Sequence, residues 1–308
     1  MDNLRFLMIV CVVFGHMLET IEGDTDVTGI YRFIYSFHMP VFIFISGFFA
    51  RFRPNTVVRK ILLPYVIFQV IYVVFDFFVI KDKEGFNLQF SKPYWLLWYL
   101  LTLFFYNLLL PLFQTENSHA AWRRLTICVL VSLIAGFDKK IGYSLSLSRT
   151  LVFLPFFVAG HYCASFSLKN KLHQHRMIAA VASGAIILVL EFLFFRIQVP
   201  VEVFYGSLSY SSLGSNCLIR FLFLICGFSW ILFFLSVIPN KELTYITGVG
   251  QRTLPIFLLH GFVQRIILNS DLLQENPDQK LLLVGLITVL LITVLSIPPI
   301  NNLFKKLF

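Results

Sequence analysis

Two residues near the N-terminus have the types and spacing for chemistry. Arg5 and His16 stand eleven positions apart in an otherwise apolar run. On an α-helix, eleven residues at ~100° each return to within about 20° of the starting direction. Both side chains therefore share one face, with the imidazole roughly 16 Å along the axis from the guanidinium. A neutral imidazole in a desolvated site can take a proton from a hydroxyl. A guanidinium can grip an anionic group with two parallel hydrogen bonds. His38, followed by Met39 and Pro40, is expected on the next, antiparallel helix at a depth comparable to His16. Two imidazoles at one depth suggest a shared polar cavity. The bland alternative is a pair of histidines that only hydrogen-bond between helices.

A second cluster is cationic. Arg51, Arg53, Arg59 and Lys60 bracket a short turn that follows Ser46-Gly47 and precedes Leu63-Pro64-Tyr65. Such a cluster could hold phosphates, with Gly47 permitting close backbone approach. The tendency of cytoplasmic loops to be basic would also place these residues here. Other polar residues at membrane depth are Asp76, Glu191, His161, His260 and Arg265. Each reads as an interhelical hydrogen bond except His260, whose mid-depth position makes it a supporting candidate. His173-Gln174-His175 reads as a solvated loop, and no metal site is expected. Trp95, Trp98 and Tyr99 read as an interfacial aromatic belt.

The elements that must position these residues are membrane helices. Of 308 residues, 58% are hydrophobic and 13% charged, with a mean hydropathy of +0.80. Soluble domains carry about 25% charged residues. The net charge of +9 comes from basic residues in short loops between apolar runs, where they set topology, so a nucleic-acid partner is excluded. The five cysteines have no paired spacing and indicate no disulfide framework. The first run lacks a small-residue cleavage site and is interrupted by His16, so it reads as a retained helix, not a signal peptide. A span needs ~20 largely apolar residues. That predicts ten, over 4–21, 31–50, 61–80, 94–113, 122–137, 150–167, 177–195, 218–238, 253–269 and 281–300, the fifth and ninth being shortest. The expected fold is an all-α, polytopic integral membrane helix bundle forming a single domain over 1–308. It would be multi-pass in the cell membrane, embedded in the lipid bilayer, with its oligomeric state open. Lys and Arg of the 2–3, 4–5, 6–7 and 8–9 loops, Lys171 among them, and Lys305 and Lys306 put both termini on the cytoplasmic side. The opposite loops carry Glu22, Asp24, Asp26, Asp82, Glu84, Asp138, Glu202, Asp271, Glu275 and Asp278.

Asp2-Asn3-Leu4-Arg5, ten residues and His16 resemble the Arg-x10-His signature of the membrane acyltransferase 3 family. Phe37-His38-Met39-Pro40-Val41-Phe42 with Ile45-Ser46-Gly47-Phe48-Phe49, Arg59 to Tyr65, Trp98-Tyr99-Leu100, Arg149 to Phe157 and Gly250 to His260 are similar to further motifs of that family, in order. The pattern looks most like the fucose 4-O-acetylase-related branch. One departure is Val57-Val58-Arg59-Lys60, where the family often carries Arg-x-x-Arg. The resemblance implies ten helices and transfer of an acyl group from cytoplasmic acyl-CoA to a hydroxyl of a surface glycan or glycolipid. His16 would be the essential base or acyl-handling residue and Arg5 its partner. On this reading the chain is an O-acetyltransferase using acetyl-CoA and a sugar or glycolipid acceptor. Arg51, Arg53, Arg59 and Lys60, with Ser46 nearby, would hold the donor, and His38 would orient the acceptor or stabilise charge. The competing expectation is a proton-coupled transporter of a small anion or sugar. Neither an inverted repeat nor a chain of carboxylates supports it.

Overall fold

A computed structural model describes the chain except for residues 22–24, 82–84, 240 and 271–276, and except for the side chains at 25, 26, 170, 171, 173, 277 and 278. Glu22, Asp24, Asp26, Asp82, Glu84, Asp271, Glu275 and Asp278 of the expected acidic loops therefore lie outside the description, as do the side chains of Lys171 and His173. Among the described residues every regular element is a helix. The main ones are α1 (Asp2–Leu18), α2 (Thr25–Phe49), α3 (Pro54–Ile80), α4 (Trp98–Phe113), α5 (Ser118–Ile134), α6 (Leu147–Ser165), α7 (Arg176–Arg196), α8 (Cys217–Val237), α9 (Thr253–Leu268), α10 (Pro277–Leu295) and α11 (Pro298–Leu307).

Seven helical segments are long and apolar enough to cross a membrane, built on α1, α2, α3, α4, α6, α7 and α8. The α10–α11 pair, bent by 60°, makes an eighth if it is one span. About ten were expected, and the shortfall falls on the fifth and ninth. α5 has 17 residues and carries Arg123 and Arg124 in its second turn, which shortens its apolar part. α9 has 16 residues, starting where the expected span starts and preceded by a separate helix, Thr244–Gly250. The tenth expected span breaks at Ile297, where Pro298 starts α11 at a position that lacks an intrahelical N–H partner in any case.

Local sequence accounts for the helix ends. Asn117 and Asn216 cap α5 and α8 through their side-chain oxygens. Asp2 in the first turn of α1 suits the positive end of the helix dipole. α3 contains two π-helical turns, Val58–Leu62 and Asp76–Ile80, and ends at left-handed Lys81 (φ 58°). Such turns frequently occur at functional sites, and here one carries Arg59 and Lys60 and the other begins at Asp76.

The chain forms two compact units. The first comprises 1–38, 66–88 and 239–308. Here α1 packs on the helix Thr244–Gly250, on α9 and on α10. A Cβ on Gly250 would lie 2.1 Å from the carbonyl oxygen of Asp2, so only glycine permits this approach. Asn3 fastens the same corner: its Nδ2 donates to the carbonyls of Pro239 (3.1 Å) and Lys241 (2.9 Å), and its Oδ1 accepts from Thr247 (2.6 Å). Tyr72 of α3 donates to the carbonyl of Leu258 (2.8 Å) and stacks on Phe262. One turn on, Arg265 grips both carboxylate oxygens of Asp76 at 3.2 and 2.8 Å. A bidentate pair neutralises two charges that lipid would not tolerate singly.

The second unit comprises 39–65 and 89–238. α2 and α6 meet through two glycines. A Cβ on Gly47 would lie 1.9 Å from the carbonyl oxygen of Phe157, and one on Gly160 would lie 2.0 Å from that of Phe44. Small residues allow helix backbones this close in lipid. The segment after α7 is ordered, with short helices Glu202–Tyr205 and Tyr210–Leu213. It is tied down by Arg220, 1% exposed, which donates to the carbonyls of Ser132 and Leu208 and sits 4.5 Å from the Tyr210 ring. Burial pushes the Tyr210 phenol up to about 12, so it remains a donor to the Leu133 carbonyl (2.7 Å). Tyr99 is buried in this unit, and the half-buried Trp98 lies beneath Arg149 and against Phe153.

Candidate active site

His16 lies in the last turn of α1, and His260 lies two turns into α9. Their rings meet: Nδ1 of His16 is 2.8 Å from Nε2 of His260. The ring planes are 9° apart with centroids 5.1 Å apart, which is close to an in-plane, edge-to-edge hydrogen bond. Protonation follows from the network. Nδ1 of His260 is 2.9 Å from the carbonyl of Ile256. A carbonyl only accepts, so that nitrogen carries the proton and, in the neutral ring, Nε2 carries the lone pair. Nδ1 of His16 is then the donor between the rings, and its lone pair is placed on Nε2. His260 is fully buried and His16 half-buried. One imidazole is thus held and oriented by a second, which is held by the backbone.

The polar arrangement continues for one more turn. Glu19, three residues beyond His16, accepts from Tyr35 (2.7 Å) and Tyr31 (3.1 Å) through Oε1, and from Nε2 of Gln264 (3.3 Å) through Oε2. Gln264 is one turn beyond His260 and shares its helix face. Three cross-links between α1 and the chain around α9 keep a nearly constant sequence offset: 244 for Asn3–Thr247, 244 for His16–His260 and 245 for Glu19–Gln264. That is the signature of two parallel helical stretches in fixed register.

His38 is not the imidazole that meets His16. It is 1% exposed, its Nδ1 donates to the carbonyl of Ile34 (2.8 Å), and the Tyr35 ring stands edge-on to it at 4.6 Å. Tyr31, Tyr35 and His38 line one face of α2 at helical spacing, so His38 joins the cluster through Tyr35. Arg5 is on the same continuous helix as His16 and pairs with Asp2 at 3.3 Å.

The cationic cluster lies in the second unit. Arg51, Arg53, Arg59 and Lys60 are all exposed, Arg53 caps the start of α3, and Arg59 and Lys60 follow in its first π turn. Ser46 donates to the carbonyl of Phe42 (2.9 Å) and bonds the Tyr99 hydroxyl (2.7 Å). Of the weaker candidates, Asp76 and Arg265 pair with each other, and Glu191 accepts from the Trp230 indole (3.2 Å). Glu19, Gln264, Tyr31 and Tyr35 are site residues that the sequence reading did not single out. The available signal was their helical spacing from His16, His260 and His38.

Residues 1–300 match the model of a family described as an acyltransferase domain, Acyl_transf_3. Nodulation protein NolL of Sinorhizobium fredii (strain NBRC 101917 / NGR234) is 28% identical over 156 residues, which cover 43% of this chain. The matched part spans about two-fifths of that relative's length. No solved structure matches the chain.

Proposed function

Since the chain belongs to the acyltransferase 3 family, whose match covers residues 1–300, we propose that it is an integral membrane O-acyltransferase that moves an acetyl group from cytoplasmic acetyl-CoA to a hydroxyl of a surface-glycan or glycolipid sugar. The observation that carries this is the 2.8 Å bond from His16 to His260. It leaves a basic nitrogen, Nε2 of His16, oriented on a half-buried ring. An acyl-CoA co-substrate supplies the activated acyl carbon and a thiolate leaving group. Nε2 of His16 takes the proton of the acceptor hydroxyl as the ester C–O bond forms and the thioester C–S bond breaks. It then returns that proton to the departing sulfur. His260 stabilises the imidazolium that exists between these events through a charge-assisted hydrogen bond. His38 positions the Tyr35 ring.

Four exposed cations at the start of a long helix fit a phosphate-bearing donor, because the helix N-terminus adds its own positive end. We assign Arg51, Arg53, Arg59 and Lys60 to the donor's phosphates, with Ser46 nearby in the chain, and Arg5 to its anionic portion at the cytoplasmic mouth of the His16 face. Both termini are cytoplasmic in this reading, on the distribution of Lys and Arg, and the protein resides in the cell membrane. Transport is disfavoured because Asp76 is paired with Arg265 and no chain of carboxylates extends from it among the described residues.

The test is acetyl transfer by the purified, lipid-embedded protein from radiolabelled acetyl-CoA to glycans. His16→Ala should remove transfer while leaving the helical content intact. Full transfer by that variant would end the proposal.

A further inference from the structure

Gln264 is 1% exposed, and its Oε1 is buried with no hydrogen-bond partner among the described residues. Its orientation is not arbitrary. The Glu19 carboxylate can only accept, so the amide must present Nε2 to it (3.3 Å) and turn Oε1 away. A buried, unmet amide oxygen is costly and calls for a donor from elsewhere. The neighbouring groups say where that donor comes from. Glu19 is half-buried, as His16 is, so each rung has one partly exposed member beside a buried one. The rungs are one turn apart, about 4.5–6 Å along parallel axes. Two hydroxyls of a single sugar ring span such a gap. Tyr31 and Tyr35, with ring centroids 4.1 Å apart, hold the carboxylate from the other side through their hydroxyls.

We propose that Glu19 and Gln264 form a subsite for a second hydroxyl of the acceptor, which donates to Gln264 Oε1 while the reacting hydroxyl lies at Nε2 of His16. The acceptor class is then a polyol recognised by two hydroxyls, not a simple alcohol. This rests on the transfer role of His16 proposed above.

The experiment uses the full chain in lipid nanodiscs with acetyl-CoA. Three reactions are followed: acetyl-CoA hydrolysis, transfer to 1-propanol, and transfer to a panel of methyl glycosides with their monodeoxy derivatives. Wild type should prefer at least one glycoside over propanol by tenfold or more in kcat/KM. Gln264→Met, which keeps volume, and Gln264→Asn, which keeps the amide, separate packing from acceptance. Gln264→Met should lower glycoside transfer about 10- to 100-fold more than it lowers hydrolysis, the loss appearing mainly in KM. Gln264→Asn should lose less. Deleting the recognised hydroxyl from the glycoside should cost wild type a similar factor and cost Gln264→Met almost nothing. Equal losses in all three reactions would make Gln264 structural and overturn the subsite. So would a glycoside preference no greater than that for propanol, which would mean that a water satisfies Oε1. Wild type inert in all three reactions, or His16→Ala as active as wild type, would overturn the transfer role itself; a strongly impaired His16→Ala beside a Gln264→Met that loses equally in all three reactions would overturn the subsite alone.

Discussion

Replacing His260 by Phe tests whether one imidazole works through the other. Phe keeps an aromatic ring of similar size in a position that is fully buried. It removes Nε2, the acceptor 2.8 Å from His16. Two consequences follow. The His16 ring loses the bond that fixes its proton on Nδ1, and the imidazolium formed during transfer loses a charge-assisted bond. Hydrogen bonds to charged groups contribute about 1.5–3 kcal/mol. At 1.36 kcal/mol per decade this is a fall in kcat of about 10- to 160-fold. Acceptor and donor KM should move much less, because the interaction strengthens as charge develops. Removing His16 itself should cost more, about 10²- to 10⁴-fold, as loss of a general base does. The decisive measurement is the pair: His16→Ala with His260→Phe should be no slower than His16→Ala alone, since residues acting as a unit are not additive. Single-turnover transfer of labelled acetyl groups in nanodiscs reads all three, with thermal unfolding monitored alongside. A fully active His260→Phe, or independent multiplication of the two losses, would refute the argument.

Three further outcomes are expected. Asp76→Asn or Arg265→Ala alone should destabilise the protein by up to about 3 kcal/mol, because each breaks this partly buried bidentate pair; the double replacement by Leu should recover most of this in thermal unfolding, and equal losses would contradict it. Reversing Arg59 and Lys60 to Glu should raise the donor KM tenfold or more at low salt, with a smaller effect on the acceptor; an unchanged donor KM would remove the phosphate assignment. The parallel run of α1 and α9 requires an even number of crossings before α9, and the seven long spans that precede it make seven. α5 must therefore be the eighth. In a background lacking the native cysteines, Thr115→Cys and Gly142→Cys should label from opposite sides of the membrane, and labelling from one side would sink the register argument.

The helices were legible because hydropathy is a local property: every expected span corresponds to a helix. The two shortest expected spans are also the short helices α5 and α9, each within a residue of its expected length. The short helix Thr244–Gly250, in the chain before α9, was not foreseen, because its seven residues lie in a stretch that hydropathy reads as a loop. The Arg5–His16 face followed from spacing on one helix, and α1 is continuous between them. The partner of His16 could not follow in the same way. Depth arguments favoured His38, which is 22 residues away, whereas the imidazole that meets it is 244 residues away. His260 stood out from its mid-depth position, yet nothing local says which neighbour it faces. Gln264 and Glu19 were hidden for another reason. Each looks like a helix-end polar residue until α1 and α9 are laid side by side.

That wide separation bears on how the protein is made. α1 leaves the ribosome before α9, carrying an imidazole whose counterpart has not yet been synthesised. At about 5–20 residues per second, the 244 positions from His16 to His260 take roughly 12–50 s to appear. Throughout that interval His16 must rest in lipid or against the insertion machinery without α9. Maturation of the site is therefore a late event in biogenesis, and truncation anywhere before residue 264 yields inserted helices without a working centre.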